Sequence, residues 1–335
     1  MTETLPTEFV NCNLCGAQDA SVVYPEVRRI DTVGTQVVQC NGCGLVYLNP
    51  RLKRLADNFT LNEAYLRQFY LPLYQNVGLL GPDGALEAEK IYQIYQRYLS
   101  QMRSYRQTNR VLDVGCAIGL FLVATNADGW ESYGVDPSEP LSTYGREKYG
   151  VEIYHSELSQ MAFPRRHFDV VTLWNVIEHL LDPMAVLREV HRVLRPGGLL
   201  ILQMPNWDDI AREFLGPQWD MFVTDHFYYF THATTRQMLA RTGFTLKDIE
   251  SAELCASEVD EIASKRDRAA ADQALHRLKV MQASDRGSTI TALAEKPVTQ
   301  RDRLDKVWQL VSSGRWQVLG QEVWNYIRWK LAAIA

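Results

Sequence analysis

The segment from Arg110 to Asp136 constrains the fold more than any other part of the sequence. Arg110-Val111-Leu112-Asp113-Val114 reads as a short apolar strand. It turns through Gly115-Cys116-Ala117-Ile118-Gly119 into an apolar helix carrying Leu120, Phe121, Leu122 and Ala124. A second strand, Glu131 to Asp136, ends in an acid 21 residues after Gly115. Glycines in such a turn let the backbone approach a ligand closely, and a carboxylate at the second strand end can accept both hydroxyls of a ribose. The dinucleotide pattern G-x-G-x-x-G is not met: the spacing is G-x-x-x-G, with Ala117 in the middle. Asp113 just before the turn suits a cationic ligand better than a pyrophosphate, by Coulomb sign alone.

The pattern continues. Strands at 110–115, 131–136, 168–175 and 198–204 alternate with helical segments near 118–128, 139–149 and 182–194. This predicts an α/β fold with a doubly wound parallel sheet. Asp182-Pro183 opens one helix, and Pro196-Gly197-Gly198 is expected to stop it. Thr234 and Thr235 open another, which ends before Gly243. Phe244–Ile249 and Ser288–Leu293 read as the last strands, with a helical insertion about 257–283 between them. The Rossmann-like domain is thus placed at 109–298.

Four of the six cysteines form two knuckles, Cys12-Asn13-Leu14-Cys15-Gly16 and Cys40-Asn41-Gly42-Cys43-Gly44. Each turn aims two thiolates at one ion, and two turns complete a tetrahedral four-sulfur shell. Strands at 22–24 and 36–39 lie between them, the layout of a zinc ribbon over residues 1–50. Four protein ligands leave no open coordination position, so Zn2+ held by Cys12, Cys15, Cys40 and Cys43 is expected to be structural. Disulfide or redox use of the knuckles is the alternative, disfavoured by a reducing setting and by the duplication. Cys116 and Cys255 read as small buried apolar side chains.

Residues 51–108 read as a helical lid or connector, with Ile91, Ile94, Tyr95, Tyr98, Leu99 and Met102 on one face. Its aromatic residues either pack on the next domain or also line a ligand pocket. The last segment, 299–335, reads as a helix with Trp316, Leu319, Val323, Ile327 and Leu331 on a stripe. Packing on the body, packing on a second subunit in a homodimer, and contact with a membrane surface are its three readings. A formal net charge of −5 without a Lys/Arg run argues against nucleic acid. No run is long enough for a membrane helix, and no signal peptide pattern opens the chain. A cytoplasmic location is the expectation.

Val111-Leu112-Asp113-Val114-Gly115-Cys116-Ala117-Ile118-Gly119, Gly134-Val135-Asp136, Phe168 to His179 and Leu194-Arg195-Pro196-Gly197-Gly198 together resemble the successive motifs of class I S-adenosylmethionine-dependent methyltransferases. The resemblance covers roughly 109–250. Trp219-Asp220, Asp225-His226-Phe227-Tyr228-Tyr229-Phe230-Thr231 and Leu239 to Phe244 are similar to the subgroup bearing an N-terminal zinc ribbon, which acts on sugars, glycolipids and natural products. The resemblance implies S-adenosylmethionine as cofactor, with Asp136 on the ribose and the turn of Asp113, Gly115, Cys116, Ala117 and Gly119 against the methionine portion. Glu157 and Leu158 are expected near the adenine, and Asn175 in the cofactor site.

Methyl transfer is an in-line displacement that needs alignment and a base for the acceptor proton. Asn175 to His179 follow a strand end and His226 follows a polar-aromatic loop, so His179 and His226 are the candidate bases, with Asp225 as orienting partner. Structural hydrogen bonding is the other reading of each. Sugar C-methyltransferases have Tyr and Glu where this chain has Val223 and Asp225. The leading expectation is therefore O-methylation of a hydroxyl on a glycosyl, glycolipid or natural-product acceptor. A nucleotide-sugar C-methyltransferase, a zinc-ribbon scaffold protein and a nicotinamide oxidoreductase are the alternatives.

Overall fold

The computed structural model describes residues 6–27, 34–53, 62–251 and 287–312. The insertion expected at 257–283 and the stripe from Trp316 to Leu331 lie outside these residues. The chain divides into two units after Lys296.

The first unit opens with β1 (Thr7–Glu8), β2 (Ala20–Tyr24), β3 (Gln36–Cys40), β4 (Val46–Asn49) and β5 (Arg51–Leu52). Strands β2, β3 and β4 form an antiparallel meander, and β1 pairs with β5. Helical cover follows: α1 (Glu63–Tyr65), a π turn (Leu66–Tyr70), α2 (Leu71–Asn76) and α3 (Ala88–Met102). On α3 the expected face splits. Ile91, Leu99 and Met102 are buried, whereas Ile94 is 53% exposed, so the apolar stripe is narrower than its spacing suggests.

The main sheet contains β6 (Arg110–Val114), β7 (Glu131–Asp136), β8 (Ile153–His155), β9 (Phe168–Trp174) and β10 (Leu194–Pro205) in parallel. Their helices are α4 (Leu120–Ala127), α5 (Glu139–Tyr149) and α6 (Pro183–Val193). After α7 (Ile210–Leu215) the chain returns through β11 (Tyr228–Tyr229), α8 (His232–Arg241), β12 (Thr245–Ser251) and β13 (Thr289–Glu295). The seven-strand order is β12-β13-β10-β9-β6-β7-β8, with β13 antiparallel to both neighbours. This is a doubly wound, mainly parallel sheet of the Rossmann-like kind, with one antiparallel strand, β13.

The central strand β9 is buried on both faces, which is why Phe168 to Leu173 read as a nearly continuous apolar run. Asp182 caps α6 by accepting the Ala185 N–H at 2.9 Å. Met184, Leu187, Val190 and Val193 form its buried stripe. The helix stops one residue before β10 begins, so Pro196-Gly197-Gly198 does not end it as expected. Those residues instead make an irregularity in β10, where the register against β9 shifts between Leu194 and Leu199. Asp169 ties the cover to this sheet. One of its oxygens takes the N–H groups of Gln107, Thr108 and Asn109 at 2.7–2.8 Å, and the other pairs with Arg195.

The tetra-cysteine meander is not an isolated module. Strand β11, from the loop after α7, adds to β4 with Tyr228 opposite Tyr47 and Tyr229 opposite Val46. The Leu48 N–H donates to the Phe227 carbonyl at 2.9 Å. Arg51 reaches the Leu181 carbonyl at 2.7 Å and the Tyr228 hydroxyl at 2.8 Å, and Asn13 donates to Asp182 at 2.9 Å. The second unit, taken by itself, is described only as helix α9 (Gln300–Ser312).

Candidate active site

The turn after β6 lies at the carboxyl edge of the sheet. Gly115, Ala117 and Gly119 all have positive φ, at +71°, +50° and +80°. A Cβ on Gly115 would meet Val176 at 2.4 Å, so glycine there is a steric requirement as well as a conformational one. The Asp136 carboxylate accepts from the Ala117 N–H and the Ser138 N–H, each at 2.8 Å, one on each oxygen. The turn and the acid are therefore one hydrogen-bonded object, and each oxygen keeps a lone pair for a further donor. Burial pushes the Asp136 carboxyl up to about 6. Asp113, buried and accepting from the Thr172 hydroxyl at 2.6 Å, is pushed up to about 8 by the same cause. A cation in this turn would favour both ionised forms. Cys116 is buried beside Gly134 and donates no strong bond.

Beyond β7 and β8, Glu157 is exposed and Leu158 is buried in the turn Leu158–Gln160. Asn175, with φ +52°, follows β9 and holds Gln203 through its N–H at 2.8 Å.

The histidines meet. His179, in the turn Ile177–His179, and His226 stack edge to face with ring centroids 4.6 Å apart. His179 Nδ1 donates to the Asp225 carbonyl at 2.9 Å and lies 3.2 Å from the Asp225 carboxylate. His226 Nδ1 donates to the Met221 carbonyl at 2.9 Å. In both rings the bonded atom must carry the proton, because a carbonyl only accepts. Burial would raise the Asp225 carboxyl, but the His179 bond and charge outweigh it and hold the group at about 2. Burial, and the charge of His179, bring His226 down to about 3, so that ring is neutral. The His179 ring is partly exposed, and Asp225 and Glu178 raise its pKa against the effect of burial. Glu178 has a side chain 1% exposed, without a hydrogen-bond partner for either oxygen, and burial pushes it up to about 7.

The four cysteine sulfurs of the knuckles also converge. Cys12 and Cys43 Sγ are 3.4 Å apart, as are Cys15 and Cys40, and all four lie within 4.8 Å of one another. None is in a disulfide. A tetrahedron of sulfurs about 2.3 Å from Zn2+ has edges of about 3.8 Å, so this donor set fits that ion. Burial raises the Cys12 and Cys43 thiols, the latter to about 11, and thiolates there need a cation beside them.

Residues 87–249 match a family described as a methyltransferase domain. This segment is a methyltransferase domain. The ubiquinone biosynthesis O-methyltransferase of Ruegeria pomeroyi is 31% identical over 160 residues, covering 42% of this chain and 64% of that protein. The demethylmenaquinone methyltransferase of Listeria welshimeri is 35% identical over 128 residues, covering 34% and 54%. The chain thus spans less than two thirds of the length of these curated relatives. A solved S-adenosylmethionine-dependent methyltransferase from Archaeoglobus fulgidus is 19% identical with a TM-score of 0.49, covering 68% of this chain and all of that one.

Within the methyltransferase domain, the glycine turn and its acid are local and stand where their spacing places them. The histidine pair is brought together from positions 47 residues apart. Trp219 is buried with Trp207, Phe222 and Tyr229 under the cysteine meander, its indole N–H donating to Asp209 at 3.1 Å. Tyr95 and Tyr98 of α3 pack against Trp174 at the end of β9, their rings 5.7 and 4.8 Å from its ring. Their three-residue spacing on a helix was the readable signal. Glu178 and Arg51 were not singled out from sequence. A Glu beside a His in an apolar run was the only trace of the first, and nothing local marks the second.

Proposed function

We propose that the chain is an S-adenosylmethionine-dependent O-methyltransferase acting on a hydroxyl of a small-molecule acceptor. The observation that supports this reading is the hydrogen-bonded unit of positive-φ turn and buried Asp136, inside a methyltransferase domain that also carries the histidine cluster. In this reading Asp136 takes the ribose hydroxyls, and Asp113 and residues 115–119 hold the methionine portion. Glu157 and Leu158 border the adenine, with Asn175 beside them in the cofactor site. The acceptor oxygen forms its bond to the methyl carbon as the C–S bond breaks, the electron pair staying on sulfur. The hydroxyl proton leaves through the cluster of His179, His226 and Asp225. Zn2+ on Cys12, Cys15, Cys40 and Cys43 fixes the meander that carries β11 and hence the His226 loop.

The resemblance to enzymes of sugars and natural products supports a glycosyl, glycolipid or natural-product acceptor. The relatives' names speak of quinone precursors, and they support an aromatic acceptor as the second reading. Two experiments test the proposal. Calorimetry should show S-adenosylmethionine binding and no NAD binding, and NAD binding alone would refute the cofactor. Transfer of labelled methyl to glycosyl hydroxyls and to phenols, compared side by side, decides the acceptor class. Transfer to carbon only would refute O-methylation.

A further inference from the structure

A buried carboxylate with no partner is costly unless a proton or a cation accompanies it. Glu178 is such a group, and it does not stand alone. One donor atom from each of Glu178, His179 and His226 lies within 4.8 Å of those of the other two. His179 Nε2 is 4.0 Å from Glu178 Oε1. Both rings are oriented alike: Nδ1 of each is a donor to a backbone carbonyl, which leaves Nε2 as the atom with a lone pair. An imidazole whose other nitrogen is pinned in this manner is the usual form of a metal-ligating histidine. The Asp225 carboxylate, 3.2 Å from His179 Nδ1, adds the outer partner that raises ligand basicity. The backbone fixes the frame as well, since the Phe227 N–H donates to the Glu178 carbonyl at 2.8 Å and so clamps the two ligand-bearing segments together.

We propose that Glu178, His179 and His226 form a second metal site, for a divalent cation of hard to borderline character. Two imidazoles and one carboxylate leave coordination positions open, unlike the closed four-sulfur shell of the knuckles. In the open positions the cation would take an oxygen of the acceptor and acidify its hydroxyl, so the cluster would act through the metal and not through a free imidazole. That role rests on the methyl-transfer reading; the binding of the cation does not.

The test uses the full chain with zinc supplied and Mn2+ as the probe, because thiolates hold Mn2+ poorly and the knuckles stay out of the titration. Loss of the free-ion electron paramagnetic resonance signal should report one saturable Mn2+ per chain. Glu178→Gln, which keeps the shape, and His226→Ala, on the other segment, should each weaken binding by at least about 100-fold, more than the usual loss of an outer partner. Asp225→Asn should weaken it by roughly 10- to 100-fold. Thermal melting of each variant reports whether it folds. Absence of saturable binding to the wild-type chain overturns the proposal. So does wild-type affinity in folded Glu178→Gln and His226→Ala. Mn2+ binding as stated, in a protein that methylates no acceptor, upholds the site and refutes the methyl-transfer reading alone.

Discussion

The glycine turn and the histidine cluster belong to one methyltransferase domain, yet they are built in opposite ways. The turn is made by neighbours in sequence: Gly115, Ala117 and Gly119 sit between two adjacent strands, and the acid that braces them ends the second strand. The cluster is made by segments that meet only in the folded chain. His179 follows β9, His226 precedes β11, and β11 is held by β4 from the cysteine meander. Arg51, in β5 just after the meander, bonds both Leu181 and Tyr228, two residues beyond each histidine. On the proposed reading, the cofactor half of the site therefore depends on local chain geometry, and the acceptor half depends on a distant element whose four cysteines would hold the metal. Alterations to the meander should reach one half and spare the other.

The largest effect is expected from breaking the knuckles. Structural zinc contributes about 10–16 kcal/mol of apparent binding free energy in small zinc domains. In Cys43→Ser, amide exchange should accelerate at Leu48, Phe227 and Tyr229, while Gly115 and Ala117 keep their protection. Turnover should collapse with S-adenosylmethionine affinity retained. If the amides at 227–229 stay protected after the metal is lost, the meander does not hold the loop and the comparison fails.

His179→Ala strikes the acceptor half directly. Removal of a group that handles the acceptor proton should lower turnover by roughly 10²–10⁴-fold. Cofactor affinity, measured by calorimetry, should stay at the wild-type value, because the ring is bonded to Asp225 and not to the turn. A loss of affinity comparable to the loss of rate would place His179 on the cofactor side.

Asp136→Ala is the converse experiment. Charge-assisted hydrogen bonds contribute roughly 1.5–3 kcal/mol each, so affinity for S-adenosylmethionine should fall by at least about tenfold. The variant should leave protection in the meander unaltered. Titration gives the same information without a mutation. The folded-state pKa of Asp136 is raised to about 6, above its ordinary value of 3.8, so burial costs stability where the group is ionised and that cost fades as pH falls. Binding has the opposite sign: the carboxylate that accepts ribose hydroxyls is lost as pH drops through about 6, and affinity should weaken there. An affinity flat from neutral pH to below that value would remove Asp136 from the cofactor site.

The same division explains what could be read from sequence. The positions of β6, β7 and β9, α5 at Glu139–Tyr149 and the Asp182 cap of α6 follow from local pattern, because each is set by neighbours within a few residues. The cysteine knuckles were legible for the same reason. The addition of β11 to the meander was not: Tyr228-Tyr229 looks like any loop aromatic pair until β4 is beside it. Pro196-Gly197-Gly198 was misplaced because its φ requirements suit a helix stop and a strand irregularity equally, and only pairing with β9 decides between them.

The smallest expected effect lies in the local half, at the one place where the turn departs from an all-glycine spacing. Ala117 is held at φ +50°, a conformation that costs an L-residue about 1–2 kcal/mol. Ala117→Gly removes that strain but gives the unfolded chain more freedom, which offsets about 0.4–1 kcal/mol of the gain. The net change should be a stabilisation of between about zero and about 1.6 kcal/mol, read as a small rise in melting temperature. The Ala117 N–H that braces Asp136 is a backbone group and survives the substitution, so cofactor affinity should not move. A lower melting temperature would mean that the methyl group makes packing contacts worth more than the strain. A change in affinity would mean that the brace depends on Ala117 being stiff, and the local half of the site would then be as finely held as the distant one.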